Sequence, residues 1–131
     1  MNQIEKLLRE SKTIAVVGLS RDAFRPSHGV AEYMQRQGYR IIPVNPKEAS
    51  ILGEACYPDL ASIPVPVDIV DVFRRSEFVP EIVAEAIRIG AKAVWMQEGV
   101  EHAEAAAVAR AAGLVVVEDR CILKEHRLIQ N

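Results

Sequence analysis

Short β-branched apolar runs alternate with glycine-terminated stretches of helical period, and that alternation constrains the fold more than any other feature of the chain. "TIAVVG" at 13–18, "YRIIPV" at 39–44, "VDIVDVF" at 67–73, "KAVWMQ" at 92–97 and "GLVVVE" at 113–118 each read as a strand buried on both faces. Between them, Val30, Tyr33 and Met34 mark the inner side of a helix that stops at Gly38. "EFVPEIVAEAIRIG" and "EHAEAAAVARAAG" are helical segments closed by Gly90 and Gly113. Ile4, Leu7 and Leu8 predict a short opening helix that ends near Ser11. Strand following helix in this way predicts an α/β, Rossmann-like, doubly wound and mainly parallel five-stranded sheet with helices on both faces.

With 131 residues, half of them hydrophobic, the chain reads as one domain with one real core. The exception to the alternation is 45–66, rich in proline and holding at most a turn of helix around Asp59–Ser62. A stretch of that length is either a functional loop or an element without a sequence signal. The helix "EHAEAAAVARAAG" is faced with alanine, suited to close packing on the sheet or on a second copy.

Charge narrows the partners. Sixteen Lys and Arg against 18 Asp and Glu leave a formal charge of -2, so no global field draws the protein to nucleic acid or to an anionic membrane, and any anion site is local. The two cysteines, Cys56 and Cys121, have neither metal-ligand nor disulfide-framework spacing, and a reducing cytoplasm is the expected compartment. No apolar run approaches a membrane span, and "MNQIEKLLRE" has no signal-peptide core.

In open parallel sheets the ligand lies beyond the carboxyl ends of the strands, and here those ends read "GLSRDAFRPS", "NPK", "FRRS", "QEG" and "EDRC". Gly18 suits a tight strand-to-helix turn where backbone approaches a ligand. Ser27, behind Pro26, is the expected N-cap of a helix whose free N–H groups would face an anion. The dinucleotide fingerprint is not met: Gly18 stands alone, and the second strand ends in "VNPK" without the acid that holds a ribose diol. An NAD site is therefore disfavoured. Lys47 at that place points to a phosphate on or near the ribose, as in NADP or coenzyme A. No Walker loop is present.

"VVGLSRDAFRPSHGVAEYMQRQGYRIIPVNPK", "ILGEACYPDLASIPVPVDIVDVF", "AKAVWMQEGV" and "VVVEDRC", in that order, resemble the small stand-alone CoA-binding proteins, relatives of the N-terminal domain of the succinyl-CoA synthetase α subunit. The resemblance covers Thr13 to Cys121. It implies coenzyme A as cofactor, with Gly18, Leu19, Ser20, Arg25, Pro26 and Ser27 along the diphosphate and Asn45, Pro46 and Lys47 at the adenosine and its phosphate. It further implies Phe73 and Arg74 at the middle of the ligand, and Met96, Gln97 and Glu98 along the pantetheine arm.

His28, His102 and His126 fall outside any position matching the phosphorylated histidine of the synthetase; His28 and His102 read as surface residues at helix starts. The synthetase relatives follow their last strand with cysteine and proline, whereas "DRCILKEH" has no proline. Cys121 reads as a buried structural thiol, against a sharper reading in which it forms a mixed disulfide with CoA. Cys56 reads as packing and Trp95 as core at the edge of the cleft. No triad, paired carboxylates or metal cluster is visible, so the expected function is a non-catalytic binder, carrier or sensor of CoA or a short acyl-CoA. The rival is an NADP-binding oxidoreductase module or redox sensor. A homo-oligomer or a partner enzyme is left open.

Overall fold

In the computed structural model, which describes residues 1–130, the chain runs α1 (Gln3–Glu10), β1 (Thr13–Val17), α2 (Pro26–Arg36), β2 (Arg40–Val44), β3 (Ser50–Ile51), β4 (Glu54–Ala55), β5 (Ile69–Val72), α3 (Val79–Arg88), β6 (Ala93–Met96), α4 (Ala103–Ala111), β7 (Val115–Val117) and α5 (Ile122–Leu128). Every β-branched run read from the sequence forms a strand, trimmed by one or two residues at its ends. The main sheet has the order β2-β1-β5-β6-β7 with every pair parallel. The chain steps outward from β1 to β2, then crosses back to place β5 on the other side of β1. Strand order therefore reverses between β1 and β5, and the crevice above that junction is where such sheets bind ligands.

Alternation along the strands divides the core between two faces. Ala15, Val17, Val70, Val72, Val94 and Met96 pack against Val79, Val83 and Ala86 of α3 and Ala105, Ala106 and Ala109 of α4. The alanine stripe of α4 thus turns inward to the sheet and its neighbouring helix. On the other face Ile14, Val16, Ile69 and Trp95 meet Leu7 and Leu8 of α1, Ala31 and Met34 of α2 and Ile122 of α5. Trp95 is fully buried, its Nε1 donating to the Arg120 carbonyl at 2.7 Å, so it is core throughout. No described helix is long and apolar enough to cross a membrane.

The proline-rich stretch holds more than the turn expected of it. Asp59 caps a single 3-10 turn, Leu60–Ser62, and ahead of it β3 and β4 form an antiparallel hairpin. Leu52 (φ 55°) and Gly53 (φ 77°) make its two-residue turn, a left-handed pair usually marked by Asn-Gly, so leucine hid the signal. Tyr57 then bonds to β2, its N–H donating to the Pro43 carbonyl and its carbonyl accepting from Asn45 N–H, and the segment lines the sheet edge.

Two readings at helix starts are corrected. The N-cap of α2 is Arg25, with Pro26 first in the helix; Ser27 lies inside the first turn, buried, its Oγ accepting the N–H of Ser20 at 3.0 Å. His102 is no free surface residue but the N-cap of α4, its Nδ1 accepting the Ala105 N–H at 3.1 Å. After β7 the sequence "ILKEHRL" forms α5, packed on α1 and α2; it lacks a capping side chain and a terminal glycine.

Candidate functional site

The tips of β1 and β5 touch at Gly18. Its φ is +89°, and a Cβ built there would lie 2.6 Å from the Phe73 carbonyl oxygen and 3.0 Å from Cδ of Arg74. Both the left-handed backbone and the lack of room demand glycine. Asn45, just after β2, donates from Nδ2 to the Leu19 carbonyl at 3.0 Å and accepts the Lys47 N–H at 2.8 Å, tying the loop after β2 to the loop after β1. From Ser20 the chain is fastened by its own polar groups: Ser20 Oγ accepts from Asp22 N–H, Asp22 Oδ1 from Phe24 N–H, and the Asp22 carbonyl from Arg25 N–H. No side chain caps α2, so the positive end of an 11-residue helix lies open beside Gly18.

Two clefts flank this junction. The first, about 680 Å³, lies on the α3 side and is lined by Gly18, Asn45, Pro46, Lys47, Leu60, Arg74 and Phe78, with Arg88, Glu81 and Glu85 projecting from α3. The second, about 860 Å³, lies between α2 and α5 and is lined by Pro26, Val30, Phe73, Gln97, Glu98, Val100, Cys121 and Leu123, with Arg74 again on its wall. Arg74 thus stands where the clefts meet, its guanidinium stacked 4.3 Å over the Phe78 ring. The first cleft has the more polar surface; that of the second is mostly apolar, with Arg75, Glu98, Lys124 and Arg127 also on its lining. Both volumes suit small-molecule ligands, whose pockets run from about 300 to 1,000 Å³.

The floor of the second cleft is built by the loops after β6 and β7. Gln97 is buried, and its Oε1 accepts the Ile122 N–H at 3.1 Å. Asp119, at φ 54°, accepts the Gly99 N–H through Oδ1 at 2.7 Å and donates its own N–H to the Val100 carbonyl. Glu98 pairs with Lys124 of α5 at 2.9 Å, and this pairing pushes the lysine pKa up. These bonds order the last loop.

Of the residues singled out from the sequence, Gly18, Asn45, Pro46, Lys47 and Arg74 line the first cleft, and Pro26, Phe73, Arg74, Gln97 and Glu98 line the second. Leu19 and Met96 are wholly buried and Ser27 nearly so; their side chains support the walls. Ser20 and Arg25 sit on the loop between the clefts and line neither. Sequence reasoning missed Phe78, Glu81, Glu85 and Arg88, which reach the first cleft from the start and outer face of α3, and Val30, Leu123 and Lys124 in the second. Only the helical period of α3 carried a signal for the first group; α5, unread as a helix, carried none for Leu123 and Lys124.

Cys121 is buried in the wall of the second cleft, and Cys56 packs partly buried against the second core cluster, where burial raises its thiol pKa. One carboxylate is out of place. Asp71, in the centre of β5 between Val16 and Trp95, is 1 % exposed, its Oδ1 has no partner, and burial pushes its pKa well above the ordinary carboxylate value.

Residues 12–127 match the family described as a CoA binding domain. The chain is 43% identical over 124 residues to the uncharacterized protein YneT of Bacillus subtilis, spanning 95% of this chain and 92% of that one. It is 35% identical over 83 residues to an ADP-forming acetate–CoA ligase of Archaeoglobus fulgidus, a match that takes in 62% of this chain but only 12% of the ligase. Among solved structures, a hypothetical protein from Pyrococcus horikoshii OT3 superposes with a TM-score of 0.94 at 38% identity, covering 98% of this chain and 90% of the other.

Proposed function

The chain belongs to this family of CoA-binding domains, and from that membership we propose that it binds coenzyme A or a short acyl-CoA across the tips of β1, β5 and β6, as a non-catalytic binder, carrier or sensor. The observation that carries the reading is the junction of a more polar cleft with a mostly apolar one at Phe73 and Arg74, directly beside Gly18, where the tips of β1 and β5 close to contact. CoA has that same division: a nucleotide bearing phosphates at one end and a long, weakly polar arm at the other.

In this arrangement the adenosine and its 3′-phosphate occupy the first cleft, with Asn45 and Pro46 against the nucleoside and Lys47 supplying charge. The diphosphate lies over Gly18 at the open end of α2, where Arg25 and Arg74 flank it. The arm passes Phe73 into the second cleft, along Gln97 and Glu98. With no acid–base pair apparent on this path, a partner chain would supply whatever chemistry follows binding. Both cysteines are free thiols, in keeping with a reducing cytoplasm.

Thermal shift and calorimetry with CoA, dephospho-CoA, NADP and NAD test the proposal. CoA should stabilise the protein most, and removal of the 3′-phosphate should weaken binding by about 1–2 kcal/mol. A Lys47→Ala variant should erase the difference between CoA and dephospho-CoA. NADP outranking CoA would favour an oxidoreductase module or redox sensor and overturn the reading.

A further inference from the structure

Cys121 follows β7 and is fastened to the tip of β6 through both of its chain neighbours. The Arg120 N–H donates to the Met96 carbonyl at 3.2 Å and the Arg120 carbonyl accepts from Trp95 Nε1, while the Ile122 N–H donates to Gln97 Oε1 at 3.1 Å. Cys121 itself is 8 % exposed and lines the second cleft. Lys124 stands beside it on the same wall, its pKa raised by Glu98 and further by Cys121, so a cation neighbours the sulfur. Cys56, the other free thiol, is less buried yet lines neither of the two clefts at the strand tips.

A second group in this cleft awaits an occupant. Gln97, 5 % exposed, has its Oε1 committed to the Ile122 N–H, so Nε2 presents two donors that no acceptor among the described residues meets. The buried polar atom sealed without a partner is Asp71 Oδ1, so Nε2 opens on the cleft rather than on a closed void.

Topology sets which part of a ligand reaches the sulfur. β1, β5, β6 and β7 are neighbours in that order, about 4.8 Å apart, so Cys121 lies two to three strand spacings from Gly18, about 10–14 Å across the sheet. From its diphosphate oxygen to its sulfur, the arm of CoA has as many bonds as about four residues of backbone and spans at most about 14 Å. A ligand with its diphosphate at Gly18 and its arm laid over Phe73 thus brings its thiol end to Cys121.

We propose that Cys121 is a covalent attachment site: presented with CoA disulfide, the protein seats one CoA half in the second cleft and joins it to Cys121 as a mixed disulfide. The Cys121 thiolate attacks the near sulfur, the S–S bond of CoA disulfide breaks, and a new S–S bond links Cys121 to the seated half. The other half departs as a thiolate and takes up the proton that Cys121 gave up. Cys121 is oxidised, the departing CoA is reduced, and no further oxidant is needed. The inference rests on the CoA reading above and adds to it a response to the redox state of the CoA pool, which excess thiol reverses.

The test incubates wild type with CoA disulfide at about pH 8, where thiolates are populated, and follows intact mass and peptide maps. One CoA adduct should form on Cys121, about 10-fold or more faster than on the more exposed Cys56, and dithiothreitol should remove it. Saturating desulfo-CoA, which keeps the nucleotide and arm but lacks the thiol, should suppress it. Cys121→Ser should take no adduct, and Cys56→Ser should take it at the wild-type rate. Calorimetry of reduced wild type with CoA separates the two readings. Heat of binding with no adduct on Cys121, or with an adduct that desulfo-CoA leaves untouched, would overturn the attachment and leave CoA binding standing. Wild type that gives neither heat nor adduct would overturn both.

Discussion

Gly18 and Asp71 are both tightly constrained, and only one of them was legible. A glycine closing a buried strand announces a backbone constraint, and the contact with Phe73 is that constraint realised. Gly18→Ala should cost about 2–4 kcal/mol in urea unfolding, from left-handed strain and the carbonyl clash together, and should abolish binding in the clefts. Asp71 gave no such warning, because the apolar residues of "VDIVDVF" marked the strand while its two acids, Asp68 and Asp71, carried no signal of which one the fold would enclose. Crossing back to place β5 between β1 and β6 is what buries it. As a carboxyl whose pKa is raised in the folded state, it contributes stability that is full below 3.8 and is lost as pH rises toward its folded value. Asp68, held down by the Lys12 and Thr13 N–H groups and by Lys92 against its own desolvation, works in the opposite sense, so the difference between variants is the clean quantity. Asp71→Asn should gain stability over wild type with increasing pH above about 4, by at most about 1.4 kcal/mol per pH unit.

At the level of elements, the strands and the inner helices were readable because their apolar residues repeat with the right period and end at glycine. The β3–β4 hairpin and α5 were not. Leu52 occupies a turn position that favours asparagine, and α5 is short and uncapped. Tertiary contacts hold α5 in place: His126 is buried, its Nδ1 shares a hydrogen bond with the Tyr33 hydroxyl at 2.9 Å, and its ring meets Tyr33 and Tyr39 edge-on. Burial, and then the nearby Arg9, lower the His126 pKa below 6.5. A lowered histidine pKa means that the neutral form is the folded one, so its contribution is present above 6.5 and is lost as pH falls through the folded value. Hydrogen exchange in Ile122–Leu128, corrected for intrinsic rates, should therefore quicken between pH 7.5 and 5.5 relative to the sheet. His126→Phe, which keeps the aromatic contacts, should remove that step. Because Cys121, Leu123 and Lys124 form one wall of the second cleft, the same acidification should weaken ligand binding.

For the molecule as a whole, the predicted architecture is the observed one, a five-stranded parallel sheet covered on both faces. The motifs located the strand tips, and the pairing of those tips into two clefts meeting at Arg74 emerged only in three dimensions, since it depends on which strands become neighbours. The first two strands and both of their following loops are made within 50 residues, yet β1 gains its second partner only at Ile69–Val72. The glycine bend and Lys47 are thus synthesised well before Phe73 and Gln97 exist to complete the enclosure. On the proposed site, truncation at residue 66 should yield a fragment blind to CoA at any concentration that saturates the intact protein.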